Sequence, residues 1–192
     1  MTPVIGVLAL QGDFAEHTAM LRGLGVESRE VRVPRDLEGI DGLVIPGGES
    51  TTIGKLLEMY ALLEPVRDLG ASGFPIWGTC AGLILLAKDV GKSQPLLGLM
   101  DMTVERNAFG RQIDSFETEL DVEGVPGGAF HAVFIRAPIV GSVGDAVDVL
   151  ARLDDGRIVA VRQGNLLGTA FHPELTADAR LHRLFVDMAH AA

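Results

Sequence analysis

"PIWGTCAGLILLAKD", residues 75–89, joins a short apolar run to a segment of helical pattern, and the junction holds the only cysteine of the chain, Cys80. Residues 78–82 have the form G-x-C-x-G, the thiol counterpart of the G-x-S-x-G nucleophile elbow, and lie at a strand-to-helix junction as that motif requires. An elbow exposes its nucleophile above the sheet, and flanking glycines let neighbouring backbone pass close by. We therefore interpret Cys80 as a nucleophile. The competing interpretation is a small buried core residue, which is common for a free cysteine.

The same alternation of strand and helix extends through the first half of the chain. Apolar runs and helical periodicity predict strands at 4–10, 26–33, 42–48 and 74–77 and helices at 13–24, 50–70 and 81–88. Continuous apolar strands separated by helices imply a parallel sheet covered by helices on both faces. The helix that begins at the thiol would favour its anionic form.

After Gly91 the pattern changes to strand-like pieces linked by glycine, proline and acidic turns, which predicts antiparallel strands added to the sheet. These pieces lie at 98–106, 115–122, 129–138, 146–153, 156–164 and 165–174, and a last helix is expected at about 177–190. Between them the polar stretch 107–115 is a candidate binding loop. We expect an α/β protein with one domain over residues 1–192.

Composition excludes several classes of function. The net charge of −10 repels nucleic acid and anionic membrane surfaces, and the N-terminal apolar run is too short for a signal peptide or a membrane span. One cysteine cannot form an internal disulfide or a multi-thiolate zinc site. We therefore expect a cytoplasmic protein with neither a metal ion nor an organic cofactor.

A cysteine that attacks a carbonyl group needs backbone N–H donors for the resulting oxyanion. The elbow supplies one donor from Ala81, and the turn after another parallel strand supplies a second, from Gly47 or Gly48. The rival interpretation of "GGESTTIGK" as a phosphate loop fails on spacing. A Walker A motif would need glycine at position 49, where Glu49 stands, and Ser or Thr at position 56, where Leu56 stands.

A cysteine hydrolase also needs a base, and the chain offers five histidines. His17 and His182 fall in predicted helices, His131 in an alternating strand and His190 in the tail. His172 follows a strand, and Glu174 is two positions further on. In an extended segment both side chains point the same way, which predicts a Cys-His-Glu relay. A surface "HPE" turn is the alternative.

Seven motifs together resemble the glutaminase subunits of pyridoxal 5′-phosphate synthases, which are class I (triad) glutamine amidotransferases. They are "GVLALQG", "PGGESTT", "GTCAGLILLA", "ERNAFGRQIDSFE", "VFIRAP", "GRIVAVRQG" and "FHPELT". The elbow and "HPE" indicate only the wider class, whereas "PGGESTT", "ERNAFGRQ" and "FIRAP" narrow it. The resemblance implies the flavodoxin-like fold of that class, hydrolysis of L-glutamine to glutamate and ammonia, and a catalytic triad of Cys80, His172 and Glu174.

By the same resemblance, Gly47, Gly48 and Glu49 form the glutamine-binding turn, and Gly48 and Ala81 the oxyanion hole. Arg106 and the pair Ile135 and Arg136 match further positions of the glutamine site. A guanidinium fork suits the α-carboxylate of the substrate. Taken singly, each arginine is more typical of a solvated surface charge.

The resemblance also implies a partner, a (β/α)₈-barrel synthase subunit that receives the ammonia and builds pyridoxal 5′-phosphate. In that family the glutaminase is poorly active until the partner docks, because the oxyanion hole is incomplete beforehand. A flip of the Gly47-Gly48 peptide is a reasonable switch that would complete it. Two other interpretations stay open from the residues alone. One is a different cysteine hydrolase on a similar sheet, and the other is a non-catalytic flavodoxin-like binding module.

Overall fold

The computed structural model describes residues 2–106 and 115–192. Strands and helices alternate in its first half, and strands predominate from Ala87 onward. The strands are β1 Val4–Leu8, β2 Glu27–Val31, β3 Gly42–Ile45, β4 Ile76–Thr79, β5 Ala87–Asp89, β6 Met100–Glu105, β7 Ser115–Leu120, β8 Phe130–Ile135, β9 Ile139–Val143, β10 Asp148–Arg152, β11 Ile158–Gln163 and β12 Leu166–Thr169. The α-helices are α1 Phe14–Gly23, α2 Ser50–Met59, α3 Leu63–Ala71, α4 Ala81–Leu86 and α5 Arg180–Ala191. Short 3₁₀ turns cover Pro34–Leu37 and Pro173–Leu175.

One large sheet runs in the order β2-β1-β3-β4-β12-β11-β9-β6-β5, with β10 paired to β11. The strands from β2 to β12 are parallel, whereas β11 pairs antiparallel with β12, β9 and β10. Strands β7 and β8 form a separate antiparallel ribbon. The predicted α/β fold is therefore confirmed, including the antiparallel strands of the second half.

Helices cover both faces of the parallel strands. The connection from β1 leads to β2 at one edge of the sheet, whereas the connections from β3 to β4 and onward to β12 lead toward the other edge. Because such crossovers are right-handed, α1 lies on one face of the sheet and α2 and α4 lie on the other. Helix α5 shares the face of α1, since His17 of α1 lies 3.0 Å from His182 of α5. Trp77 of β4 packs edge-on against both imidazole rings. Each helix of the described residues is too short or too polar to cross a bilayer.

The predicted helix over 50–70 is wrong in one respect, because the structure divides it into α2 and α3. Ala61 has a φ of 56°, and its N–H and that of Leu62 donate to the carbonyls of Glu58 and Leu57. This is a Schellman ending with alanine in the left-handed position. Pro65 then falls in the first turn of α3, where its missing N–H is tolerated.

The helix that follows Cys80 is also shorter than predicted. Helix α4 ends at Leu86, and Ala87 adopts extended geometry with φ −66° and ψ 148°. Residues 87–89 form β5, which pairs with β6. A tertiary pairing therefore overrides the local helical pattern.

Two glycines allow the turn between β4 and α4. A Cβ at Gly78 would lie 2.4 Å from the backbone of Gly82, and a Cβ at Gly82 would lie 2.1 Å from the carbonyl oxygen of Ile45 in β3. Real Cβ atoms do not approach backbone atoms so closely. The turn that holds Cys80 therefore packs backbone against backbone, and only glycine fits at these two positions.

This packing predicts the effect of adding one methyl group. We expect Gly82→Ala to lower the free energy of unfolding by about 2 kcal/mol or more, because the clash is with main chain that cannot rotate away. Gly23→Ala is the matched control, since a Cβ there meets nothing within 4 Å. In denaturant titrations it should leave stability unchanged or raise it by up to about 1 kcal/mol. Equal stability of the two variants would contradict the argument.

Candidate active site

Cys80 lies at the end of β4 in a strained backbone conformation, with φ 47° and ψ −99°. Positive φ is rare for a residue with a side chain and marks stored strain, often at a functional site. The N–H of Cys80 donates to the carbonyl of Thr169 in the neighbouring strand β12 at 2.8 Å. The side chain is 7% exposed and lines a pocket. Cys80 thus lies in a strained turn between strand and helix, a geometry typical of a nucleophile elbow.

His172 follows β12, the strand next to β4, and its N–H donates to the carbonyl of Val133 at 2.8 Å. Its Nδ1 lies 2.7 Å from Oε1 of Glu174, and both residues are buried. The prediction that residues 172–174 are extended is wrong, because a 3₁₀ turn starts at Pro173. Proline suits that first helical position, since its φ is already helical. The turn nevertheless brings the carboxylate onto the imidazole.

The charges of this pair depend on burial and on each other. Burial alone would lower the pKa of His172, but its interactions with Cys80 and Glu174 outweigh burial and raise the pKa to about 10. Burial raises the pKa of Glu174, and the hydrogen bond from His172 opposes that rise. Since Nδ1 of His172 bonds the carboxylate, Nε2 is the ring nitrogen left for the thiol. The arrangement favours an imidazolium beside the sulfur.

Asp13, at the start of α1, is a second carboxylate beside His172. Its Oδ2 lies 3.4 Å from Nδ1 of His172, and burial raises the pKa of this carboxyl. The ligand atoms of Asp13, His172 and Glu174 lie within 4.8 Å of one another, a spacing that a metal ion could use. A metal ion there would have to displace the hydrogen bond between His172 and Glu174, so we attribute the cluster to control of the imidazole.

The Gly47-Gly48 turn after β3 packs directly on the loop after β1. The carbonyl of Gly47 accepts a hydrogen bond from the N–H of Asp13 at 3.0 Å. A Cβ at Gly48, whose φ is 154°, would lie 2.5 Å from Oε1 of Gln11. A Cβ at Gly47 would lie 2.5 Å from the His172 ring. The turn therefore touches the imidazole only because it lacks side chains.

Glu49 is the N-cap residue of α2. Its carboxylate accepts hydrogen bonds from the N–H groups of Thr51 and Thr52 and from the hydroxyl of Thr52. These bonds outweigh partial burial and hold the pKa of Glu49 at about 2. A carboxylate already fills the position that a phosphate would need at this helix end, which argues against a phosphate loop on structural grounds as well.

Arg106 approaches the same turn from the end of β6. Its Nη2 lies 3.1 Å from Oε1 of Glu49, and its Nη1 donates to Oε1 of Gln94 at 2.9 Å and to Oγ1 of Thr51 at 3.3 Å. The guanidinium is mostly buried and held by these partners. Arg106 is therefore an oriented cation at the pocket, and the alternative of a freely solvated charge does not fit.

Ile135 is the last residue of β8, and Arg136 follows it; both line the pocket. Arg136 has a φ of 42°, a second strained position among the described residues that line the pocket. The pocket has a volume of about 520 Å³, within the usual range for small-ligand sites. Eight of the predicted site residues line it: Gly48, Glu49, Cys80, Ala81, Arg106, Ile135, Arg136 and His172.

The other two predicted site residues, Gly47 and Glu174, contact His172 from outside the pocket lining. The predicted binding loop 107–115 lies outside the described residues except for Ser115. Sequence reasoning missed five residues that line the pocket: Gln11, Asp13, Ser50, Ile84 and Leu175. Gln11 and Asp13 were open to prediction, because they follow β1 and the carboxyl ends of parallel strands meet at one edge.

Comparisons with known proteins agree with this geometry. The sequence model of the SNO glutamine amidotransferase family matches residues 7–191. A protein of Herpetosiphon aurantiacus called "Pyridoxal 5′-phosphate synthase subunit PdxT" is 62% identical over 188 residues, covering 96% of this chain and 99% of that protein. A protein of Frankia alni with the same name is 60% identical over 193 residues, covering 99% and 96%.

A solved structure described as a glutamine amidotransferase is 53% identical and superimposes with a TM-score of 0.92, covering 97% of this chain and 98% of that one. The similarity therefore extends over the parallel strands, the antiparallel half and all elements that form the pocket. The chain belongs to the SNO glutamine amidotransferase family.

Proposed function

We propose that Cys80, His172 and Glu174 form the catalytic triad with which this chain hydrolyses L-glutamine to L-glutamate and ammonia. The observation that carries the assignment is the strained elbow of Cys80 beside a buried imidazole whose Nδ1 lies 2.7 Å from Glu174. The two strands that end at Cys80 and His172 are direct neighbours in the sheet. Nucleophile and base are therefore positioned by strand pairing.

The reaction follows from the proton positions. The thiolate of Cys80 attacks the side-chain amide carbon of glutamine, and the carbonyl oxygen becomes an oxyanion. The His172 imidazolium then gives its proton to the leaving nitrogen, ammonia departs, and a thioester remains. His172, now neutral, takes a proton from water, which attacks the thioester. Collapse of this second oxyanion expels the Cys80 thiolate beside the His172 imidazolium, and the new side-chain carboxyl group loses its remaining proton to water as glutamate leaves.

Two main-chain N–H groups are our candidates for the oxyanion hole. Ala81 supplies one, because as the first residue of α4 its N–H has no partner within the helix. Gly48 supplies the other. In a trans peptide the Gly48 N–H points opposite to the Gly47 carbonyl, which the N–H of Asp13 holds at 3.0 Å. The first turn of α1 therefore controls the orientation of this donor.

For the substrate we assign Gly47, Gly48, Glu49, Arg106, Ile135 and Arg136. Arg106 and Arg136 bring the guanidinium groups that line the pocket within the described residues, and they suit the α-carboxylate of glutamine. Ile135 offers an apolar surface for the methylene groups. With the α-carboxylate held by the arginines, the side-chain amide is left to reach Cys80.

The fate of ammonia follows from the relatives, whose names make them subunits of pyridoxal 5′-phosphate synthase. In our proposal this chain is the glutaminase subunit and passes ammonia to a (β/α)₈-barrel synthase subunit in the cytoplasm. The net charge of −10 agrees with a protein partner and not with nucleic acid.

The proposed function is tested by Cys80→Ala in the complex with the synthase subunit. We expect glutamine hydrolysis, measured as ammonia release, to fall by a factor of about 10³ or more, because no other group can form the thioester. The fold should persist, since the change removes one sulfur atom from a largely buried site. Full activity of the variant, or no activity of the wild-type complex on glutamine, would overturn the proposal.

Glu174→Gln tests the role of the carboxylate through the pH profile. Without the negative charge the imidazolium of His172 is less stabilised, so its pKa falls from the raised value of about 10. The alkaline limb of kcat should therefore move to lower pH, and kcat should drop by a factor of about 10² to 10⁴. Glu58→Gln, on the exposed side of α2, is the control and should leave the profile unchanged.

Arg106→Lys tests substrate binding. Lysine keeps the charge but loses the planar fork, so we expect KM for glutamine to rise about tenfold while kcat changes little. Arg183→Lys, on the exposed side of α5, is the matched control. An unchanged KM in steady-state assays would remove Arg106 from the proposed site.

A further inference from the structure

Behind the triad lies a buried polar cluster that the proposed mechanism does not use. His17 of α1 and His182 of α5 are both 0% exposed, and Nδ1 of His17 lies 3.0 Å from Nε2 of His182. Nε2 of His17 lies 3.1 Å from Oγ1 of Thr79, the residue before Cys80. The same Nε2 lies 3.4 Å from Oε2 of Glu174. A line of buried polar groups thus leads from α5 through α1 to the triad.

Two atoms of this cluster have unmet hydrogen-bonding capacity. Among the described residues, Oε2 of Glu174 and Nδ1 of His182 are buried without a hydrogen-bond partner. A buried carboxylate oxygen is costly to leave unpaired. The nitrogen that faces Oε2 is Nε2 of His17, at a distance slightly longer than a hydrogen bond. Such contacts are often long in a free enzyme and shorten when substrate is bound.

Both imidazoles are neutral in the folded protein. Burial lowers the pKa of His182 to about 4 and places the pKa of His17 well below its usual value. Each ring therefore carries one N–H, and the contact between the two rings uses one donor and one acceptor. This leaves two possible arrangements of the protons.

In the first arrangement His17 carries its proton on Nε2, facing Glu174 and Thr79, and His182 donates from its Nε2 to Nδ1 of His17. The unpaired Nδ1 of His182 is then an acceptor. In the second arrangement that Nδ1 carries a buried N–H without an acceptor, and a lone pair of His17, which can accept from the Thr79 hydroxyl, also faces the carboxylate. An orphaned donor and a lone-pair repulsion are both costly. The first arrangement is therefore favoured.

We propose that His17 is a positioning residue of the triad, whose Nε2–H is shared between Oγ1 of Thr79 at 3.1 Å and the second carboxylate oxygen of Glu174 at 3.4 Å and so keeps Glu174 ionised and aligned on His172. This inference rests on the proposed function and extends it by one residue. His17 does not line the pocket and does not touch glutamine. Its effect on the reaction passes through Glu174.

The surroundings of Glu174 determine the sign of the effect. It faces these titratable groups: His172 in its own turn, Asp13 and His17 from α1 and, one contact further, His182 from α5. Strand β8 also contacts this turn. Its His131 lies at the surface and pairs with Glu117 and Glu119 of β7. Removing the His17 donor withdraws stabilisation from the carboxylate, so ionisation of Glu174 requires a higher pH.

The test compares two substitutions at one position in the complex with the synthase subunit. His17→Gln retains an N–H donor near the position of Nε2, whereas His17→Leu removes it. For His17→Leu we expect kcat for glutamine hydrolysis to fall about tenfold with KM within about twofold of wild type. The acid limb of its pH profile should move to higher pH. His17→Gln should recover most of the rate and restore the acid limb.

Phe185→Leu is the control for packing, because Phe185 packs against Trp77, the ring that also contacts His17 and His182. It should lower thermal stability and leave the pH profile unchanged. If His17→Leu and His17→Gln lose the same activity with unmoved pH limbs, His17 is a packing residue and the proposal is wrong.

Nitrogen-15 NMR of the histidine rings in the wild-type chain gives a second readout that needs no variant to fold and no activity. We expect a neutral His17 protonated on Nε2, and a proton on Nδ1 instead would overturn the proposal. Failure of the proposed function has a different signature, since the wild-type complex would then release no ammonia from glutamine whatever the His17 tautomer is.

Discussion

The close approach of three backbone segments around Cys80 is the constraint on which the rest of the structure depends. Gly78 and Gly82 lie against each other, and Gly82 lies against the carbonyl of Ile45, so the chain can reverse from strand to helix with the cysteine at φ 47°. The strain of that conformation is held by the hydrogen bond of Cys80 to Thr169 and by the buried strands on either side. The position of Cys80 is therefore set by the buried centre of the sheet.

The order of the strands explains why residues distant in sequence meet at one point. Strands β1, β3, β4 and β12 are parallel neighbours, and the loops that follow them carry Gln11, Gly48, Cys80 and His172 respectively. The connections from β1 and β3 leave toward opposite edges, which opens a crevice between them. The antiparallel half completes the pocket with Arg106, Ile135 and Arg136.

Much of the fold and of the candidate site could be predicted from the sequence, because apolar runs mark the buried parallel strands and the site residues follow them. The break at Ala61 and the short strand β5 were not predictable in this way, since a left-handed alanine and a pairing with β6 have no periodic signature. His17 and His182 look like solvated helix positions when taken singly. Their burial follows only from the contact between α1 and α5, which no local pattern encodes.

The hydrogen bond from the His172 N–H to the carbonyl of Val133 has a mechanical consequence. Val133 belongs to β8, which ends at Ile135 and is followed by Arg136. The proposed base and part of the proposed substrate site are therefore attached to the same ribbon. Any shift of that ribbon must carry the imidazole along or break the bond. Substrate binding and proton transfer therefore depend on the position of the same strand. An insertion that shifts the register of β8 by one residue would disturb both.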